Sequence, residues 1–170
     1  MSAKIEKIAT LNKVFIGAIG SCGTNYLHGL LNSHPEIISI PYQSRPIDFY
    51  LKCKDSSKES LIEKILEGFS IIFNQEKTNK HGDFTNFEIS QGIFKEVLDS
   101  EISMTDLTQH LILNAINCAY VKAVDQDISR VKVILIQFHD TFESRAMKLT
   151  LNDFPDAKWI LPVRNPLAYM

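Results

Sequence analysis

The sequence predicts an α/β fold, in which a parallel sheet is flanked by helices. Short runs rich in β-branched residues alternate with longer segments whose apolar residues recur at helical spacing. The runs are almost continuously apolar, as is typical of strands buried on both faces. With 170 residues, 45% hydrophobic and 22% charged, the chain fits one globular domain over residues 1–170.

Four runs are predicted to be strands, and each ends at glycine, proline or a polar pair. Parallel strands joined by helices place ligand sites beyond the carboxyl ends of the strands. We therefore expect the functional residues to follow the strands directly. The predicted strands are residues 13–19, 37–40, 131–138 and 157–163.

Five segments carry apolar residues at helical spacing and are predicted to be helices. The second contains Gly68, a weak point because glycine is a poor helix former. Residues 74–86 are polar and predict an exposed loop between the second and third helices. The predicted helices are residues 24–33, 57–73, 89–98, 103–124 and 142–152.

Charge and composition exclude several classes of protein. The net charge of −2 and the pI near 6.2 argue against a nucleic-acid binder, which usually carries a basic excess. No apolar run is long enough to span a bilayer, and the amino terminus lacks the apolar region of a signal peptide, so we expect a cytoplasmic protein. The cysteines Cys22, Cys53 and Cys118 lack metal-ligand spacing and predict reduced thiols.

The turn from Gly17 to Asn25 has the composition of an anion-binding loop. Glycines allow the backbone to approach a ligand, and the first amides of the following helix are unsatisfied donors with partial positive charge. Thr24 and Asn25 add side-chain donors. They stand where a Walker A loop has Lys and Ser/Thr, so the loop is not of that type. An ordinary strand-to-helix turn is the alternative interpretation.

Residues 14–37 resemble the 5′-phosphosulfate loop of the sulfotransferase family. That loop has a basic residue, then Ser-Gly-Thr-Thr, then a leucine-rich helix closed by a Ser-His-Pro-Glu turn. Here Ser21 replaces the basic residue, Cys22 the serine and Asn25 the second threonine. Residues 153–167 are similar to the family's 3′-phosphate strand and its Arg-Asn/Asp-Pro turn, so two segments match in the family's order.

The resemblance implies a P-loop-like, sulfotransferase-type sheet that binds 3′-phosphoadenosine 5′-phosphosulfate. The sulfuryl group would pass to a hydroxyl or amine of a small-molecule or glycan acceptor, without a metal. His139 would be the general base, and Arg164 would bind the 3′-phosphate. The local alternatives are a histidine bonded to a nearby carbonyl and a surface arginine. The loop residues that would hold the sulfonate and 5′-phosphate are Gly20, Ser21, Cys22, Gly23, Thr24 and Asn25.

Departures from the family pattern keep two further hypotheses open. A neutral Ser21 lacks the charge that stabilises the leaving group, at a cost of about 10²–10³ in rate unless another cation replaces it. A relative that binds nucleotide without catalysis is therefore one alternative, and a cysteine-dependent enzyme that uses Cys22 with His139 is another. The sequence stops at Met170, and we expect the sulfotransferase-like domain to be incomplete at that end. Candidate replacement cations are Arg45, Lys122, Arg130 and Lys132.

Overall fold

The protein has an α/β fold, and its elements alternate along the chain as the sequence predicts. A computed structural model describes residues 3–17, 23–32, 34–41, 46–74, 89–138 and 144–163. The strands are β1 (Asn12–Gly17), β2 (Ile37–Ser39), β3 (Val133–Phe138) and β4 (Lys158–Ile160). The helices are α1 (Ala3–Thr10), α2 (Thr24–Asn32), α3 (Pro46–Cys53), α4 (Lys58–Gly68), α5 (Gln91–Glu101), α6 (Gln109–Ala123) and α7 (Ser144–Asp153), with a 3₁₀ turn at Ile128–Arg130.

The four strands form one parallel sheet in the order β2-β3-β1-β4. The first strand of the chain is therefore central, between β3 and β4. Register places Gly17 opposite Phe138 and Ile16 opposite Ile160. Three strands that are distant in sequence consequently end side by side.

The core combines the central strands with the long helix α6. Phe15 and Ile16 of β1 are fully buried, and most of α6 is buried too. This helix packs against α1, α3 and α5. Packing of its apolar surface against several neighbours stabilises a helix of this length. No helix in the described ranges has the length and apolarity needed to cross a bilayer.

The helix predicted over residues 103–124 is shorter than its apolar spacing suggests. It begins only at Gln109, because Thr108 is its N-cap and accepts a hydrogen bond from the Leu111 backbone N–H at 3.1 Å. Residues 102–108 form an irregular connection from α5 instead. The apolar residues on either side of Thr108 mimic one continuous helical pattern, although the cap interrupts it.

Candidate functional site

The candidate site lies at the carboxyl edge of the sheet, where β1, β3 and β4 end together. Gly17 and Phe138 are paired, and Ile160 is the last strand residue beside β1. The Gly17–Asn25 turn follows β1, and His139 follows Phe138 directly in sequence. Arg164 comes four residues after Ile160. The three sequence segments predicted to carry function therefore leave neighbouring strands at the same edge.

The residue that precedes α2 has a backbone conformation that favours glycine. Gly23 has φ +87°, a left-handed conformation that side chains rarely adopt. The helix begins at once, since the Leu27 N–H donates to the Gly23 carbonyl at 3.1 Å. The first turn of α2 contains no acidic residue, so no side chain of that turn offsets the partial positive charge of its first amides. Thr24 is buried against the body of the protein.

Asn25 is tied to the end of β3 by a hydrogen bond that spans 112 residues of sequence. The buried Gln137 side chain donates from Nε2 to the Asn25 Oδ1 atom. Gln137 precedes Phe138, the residue paired with Gly17. Gln137 is not among the residues predicted from the sequence, where its one signal is a polar residue inside an otherwise apolar strand. This contact connects two of the predicted functional segments directly.

Of the eight residues predicted to form the site, three lie in the described part of the chain. Gly23, Thr24 and Asn25 form the start of α2. The other five lie outside the described residues, so their roles stay predictions: Gly20, Ser21, Cys22, His139 and Arg164.

Three of the four cations considered as replacements for the missing charge at residue 21 lie in the described part of the chain, and these three are remote from the candidate site. Lys132 immediately precedes β3 and pairs with Glu36 at 2.7 Å, at the amino edge of the sheet. Arg130 is in the 3₁₀ turn leading to the same edge. Lys122 lies in the last turn of α6, which precedes that turn. Arg45 lies outside the described residues.

The histidines predicted to be structural have structural contacts wherever they are described. His28 is completely buried in α2, and its Nε2 is hydrogen-bonded to the Ser39 hydroxyl at 2.7 Å. His34 accepts the Glu36 N–H at 3.2 Å, which closes the turn before β2. His110 contacts the carbonyl of Asp153 through a ring nitrogen. His81 lies outside the described residues.

The described cysteines are packing residues. Cys53 and Cys118 are buried and form no disulfide. Within the described ranges, no group of three or more His, Cys, Asp or Glu side chains could hold a metal ion. The thiol hypothesis therefore concerns Cys22 alone.

A cavity of about 270 Å³ opens at the opposite, amino edge of the sheet. Its lining includes Lys13, His110 and Asp153. Lys13 donates through Nζ to the carbonyls of Ile8 at 3.2 Å and Ala9 at 2.5 Å, at the end of α1. Burial lowers the pKa of this lysine below its ordinary value. The cavity is separated from the candidate site by the length of the strands.

Comparison with protein-family models, curated proteins and solved structures finds no match to this chain.

Proposed function

We propose that this chain is a sulfotransferase-like protein that binds 3′-phosphoadenosine 5′-phosphosulfate at the carboxyl edge of β1, β3 and β4. The supporting observation is the convergence of three separate sequence segments at that edge, through the pairs Gly17–Phe138 and Ile16–Ile160. Parallel α/β sheets bind ligands beyond the carboxyl ends of their strands. We also propose that the sheet is of the P-loop, sulfotransferase type.

Each segment has a distinct task in this proposal. The free amides of α2, with Thr24 and Asn25, hold the sulfonate and 5′-phosphate oxygens. Arg164 grips the 3′-phosphate, a task suited to the paired donors of guanidinium. His139 accepts the proton of the acceptor hydroxyl or amine as the bond from sulfur to the 5′-phosphate oxygen breaks. The sulfuryl group passes to the acceptor, and 3′-phosphoadenosine 5′-phosphate leaves. Positioning and charge stabilisation supply most of the rate enhancement.

A second candidate function is nucleotide binding without turnover. Ser21 carries no charge, and the described strand ends at residues 16–17, 137–138 and 160–163 have no charged side chain. Transfer without a cation near the leaving oxygen would be slower by about 10²–10³. Binding needs only the amides and the arginine, so it would survive this loss.

Calorimetry with 3′-phosphoadenosine 5′-phosphate tests the binding site common to both candidates. We expect the wild-type chain to bind, and Arg164→Ala to bind about 10- to 100-fold more weakly, because a charge-assisted contact is lost. Arg130→Ala is the matched control, since Arg130 lies toward the amino edge, and it should bind like the wild type. No binding by a folded wild-type sample would refute both candidates, and equal binding by the two variants would remove Arg164 from the site.

Transfer of labelled sulfate to a panel of hydroxyl and amine acceptors separates the two candidates. An active enzyme should lose about 10²–10⁴ in rate in His139→Ala and keep its nucleotide affinity. His34→Ala is the control, because His34 closes a turn before β2. If the wild type binds nucleotide but transfers nothing, Ser21→Arg should restore measurable transfer. Failure of that variant would show that the missing charge is not what prevents turnover.

A further inference from the structure

Two amide side chains meet at the boundary between β3 and α2. Gln137 Nε2 donates to Asn25 Oδ1. Gln137 is 2% exposed, and its neighbours along the strand, Ile136 and Phe138, are buried as well. A glutamine enclosed in this way cannot reorient as freely as a surface side chain, so its contact with Asn25 is held in place.

The contact determines which end of the Asn25 amide is available to a ligand. An asparagine amide has one oxygen that accepts and one NH₂ group that donates. Gln137 bonds the oxygen, so the two N–H donors of Nδ2 lie on the other side of the amide carbon. Within the described ranges, no residue makes a second side-chain hydrogen bond to Asn25. An anion needs donors, and this is the orientation that provides them.

We propose that Gln137 is a positioning residue, which holds the Asn25 amide with its N–H groups turned toward the anion bound at the start of α2. This inference rests on the proposed function, since it concerns the same site. A hydroxyl at residue 25 would rotate to suit its ligand without help. An amide has an accepting oxygen at one end and a donating NH₂ group at the other. How strongly it binds an anion therefore depends on a partner that holds the NH₂ group toward that anion.

A double-mutant cycle on binding of 3′-phosphoadenosine 5′-phosphate tests the proposal. Gln137→Met keeps the size of the side chain and removes the donor, and we expect about 3- to 10-fold weaker binding. In the Asn25→Ala background the same change should have no further effect, because no amide remains to be oriented. Gln126→Met is the matched control: Gln126 donates through Nε2 to the Ile37 carbonyl at 3.0 Å at the other edge, and its loss should leave affinity unchanged.

Urea unfolding of each variant separates positioning from stability, since a structural role alone would change stability and leave the binding cycle additive. Additive effects of the two substitutions, or equal affinities of Gln137→Met and the wild type, would overturn the inference and leave the proposed function standing.

If the wild type binds no nucleotide, the proposed function fails and a second probe decides the inference. Inorganic sulfate is then titrated while the side-chain NH₂ resonances of Asn25 are followed by NMR. Shifts in the wild type that are absent in Gln137→Met would support positioning for an anion. Unchanged Asn25 resonances in the wild type would overturn it.

Discussion

Replacing Phe15 by alanine should remove a large share of the stability of this fold. Phe15 is fully buried in the central strand. Its ring stacks on Trp159, with ring centroids 4.8 Å apart and planes inclined by 19°. The centroid distances from Phe15 to Phe154 and Phe138 are 5.6 Å and 6.1 Å. Truncating a buried phenylalanine costs about 3–5 kcal/mol, and three aromatic partners place Phe15→Ala toward the upper end.

Urea unfolding followed by circular dichroism measures this loss. With an m-value of about 2 kcal/mol/M, a loss of about 4 kcal/mol lowers the unfolding midpoint by about 2 M. Trp159, the one tryptophan of the sequence, gives a second signal by fluorescence because it stacks on the substituted ring. The matched control is Phe73→Ala, which removes a half-buried ring whose contact with Phe94 has a centroid distance of 5.4 Å. If Phe15→Ala cost no more than Phe73→Ala, the aromatic core described here would be wrong.

Three smaller effects follow from local contacts. Gly68→Ala should lower the urea midpoint although alanine favours helix, because a Cβ there would lie 2.7 Å from the Phe49 ring. Thr108→Ala should cost about 1 kcal/mol in urea unfolding, since it removes the N-cap of α6. The hydrogen bond from Lys132 lowers the pKa of Glu36 below 4.5, and NMR titration should show it return toward that value in Lys132→Met.

Each of these effects has a conservative control. Phe49→Leu should relieve the crowding in the Gly68→Ala variant and recover its midpoint, whereas an additive loss would contradict the steric explanation. Thr108→Ser keeps the capping oxygen and should stay close to the wild type. For Glu36 the lowered pKa means that the unfolded chain binds more protons, so its stabilising contribution is present above about pH 4.5 and is lost as the pH falls through the lowered value. A Glu36 pKa unchanged by Lys132→Met would exclude this pairing.

The strands could be predicted because their chemistry is local. β-branched runs that end in glycine, proline or a polar pair predicted all four strands, with errors confined to their ends. The eight-residue helices α1 and α3 were missed. So short a helix offers only about two turns of periodicity. Its stability comes from packing against residues that are distant in sequence, which a short stretch of sequence does not reveal. In α1 only Ile5 and Ile8 are buried.

The glycine that precedes α2 could be predicted, because the backbone conformation of the turn requires that residue type. Gly23 was expected at a turn that needs glycine, and its positive φ supplies the reason. Gln137 could not be found in this way, because its partner Asn25 is 112 residues away and glutamine has no backbone preference that would draw attention to it. Which glutamine contacts the turn depends on strand order and register, and both are properties of the whole chain.

The central place of β1 has a consequence for synthesis of the chain. β1 is complete at Gly17, but its first neighbour in the sheet begins at Val133, 116 residues later. At about 5–20 residues per second, a ribosome needs roughly 6 to 23 s to produce that neighbour. During this interval the strands that flank β1 have not been synthesised, so Phe15 and Ile16 cannot yet be buried in the sheet. We therefore expect the yield of folded protein to depend on translation speed and on chaperones that bind exposed apolar segments.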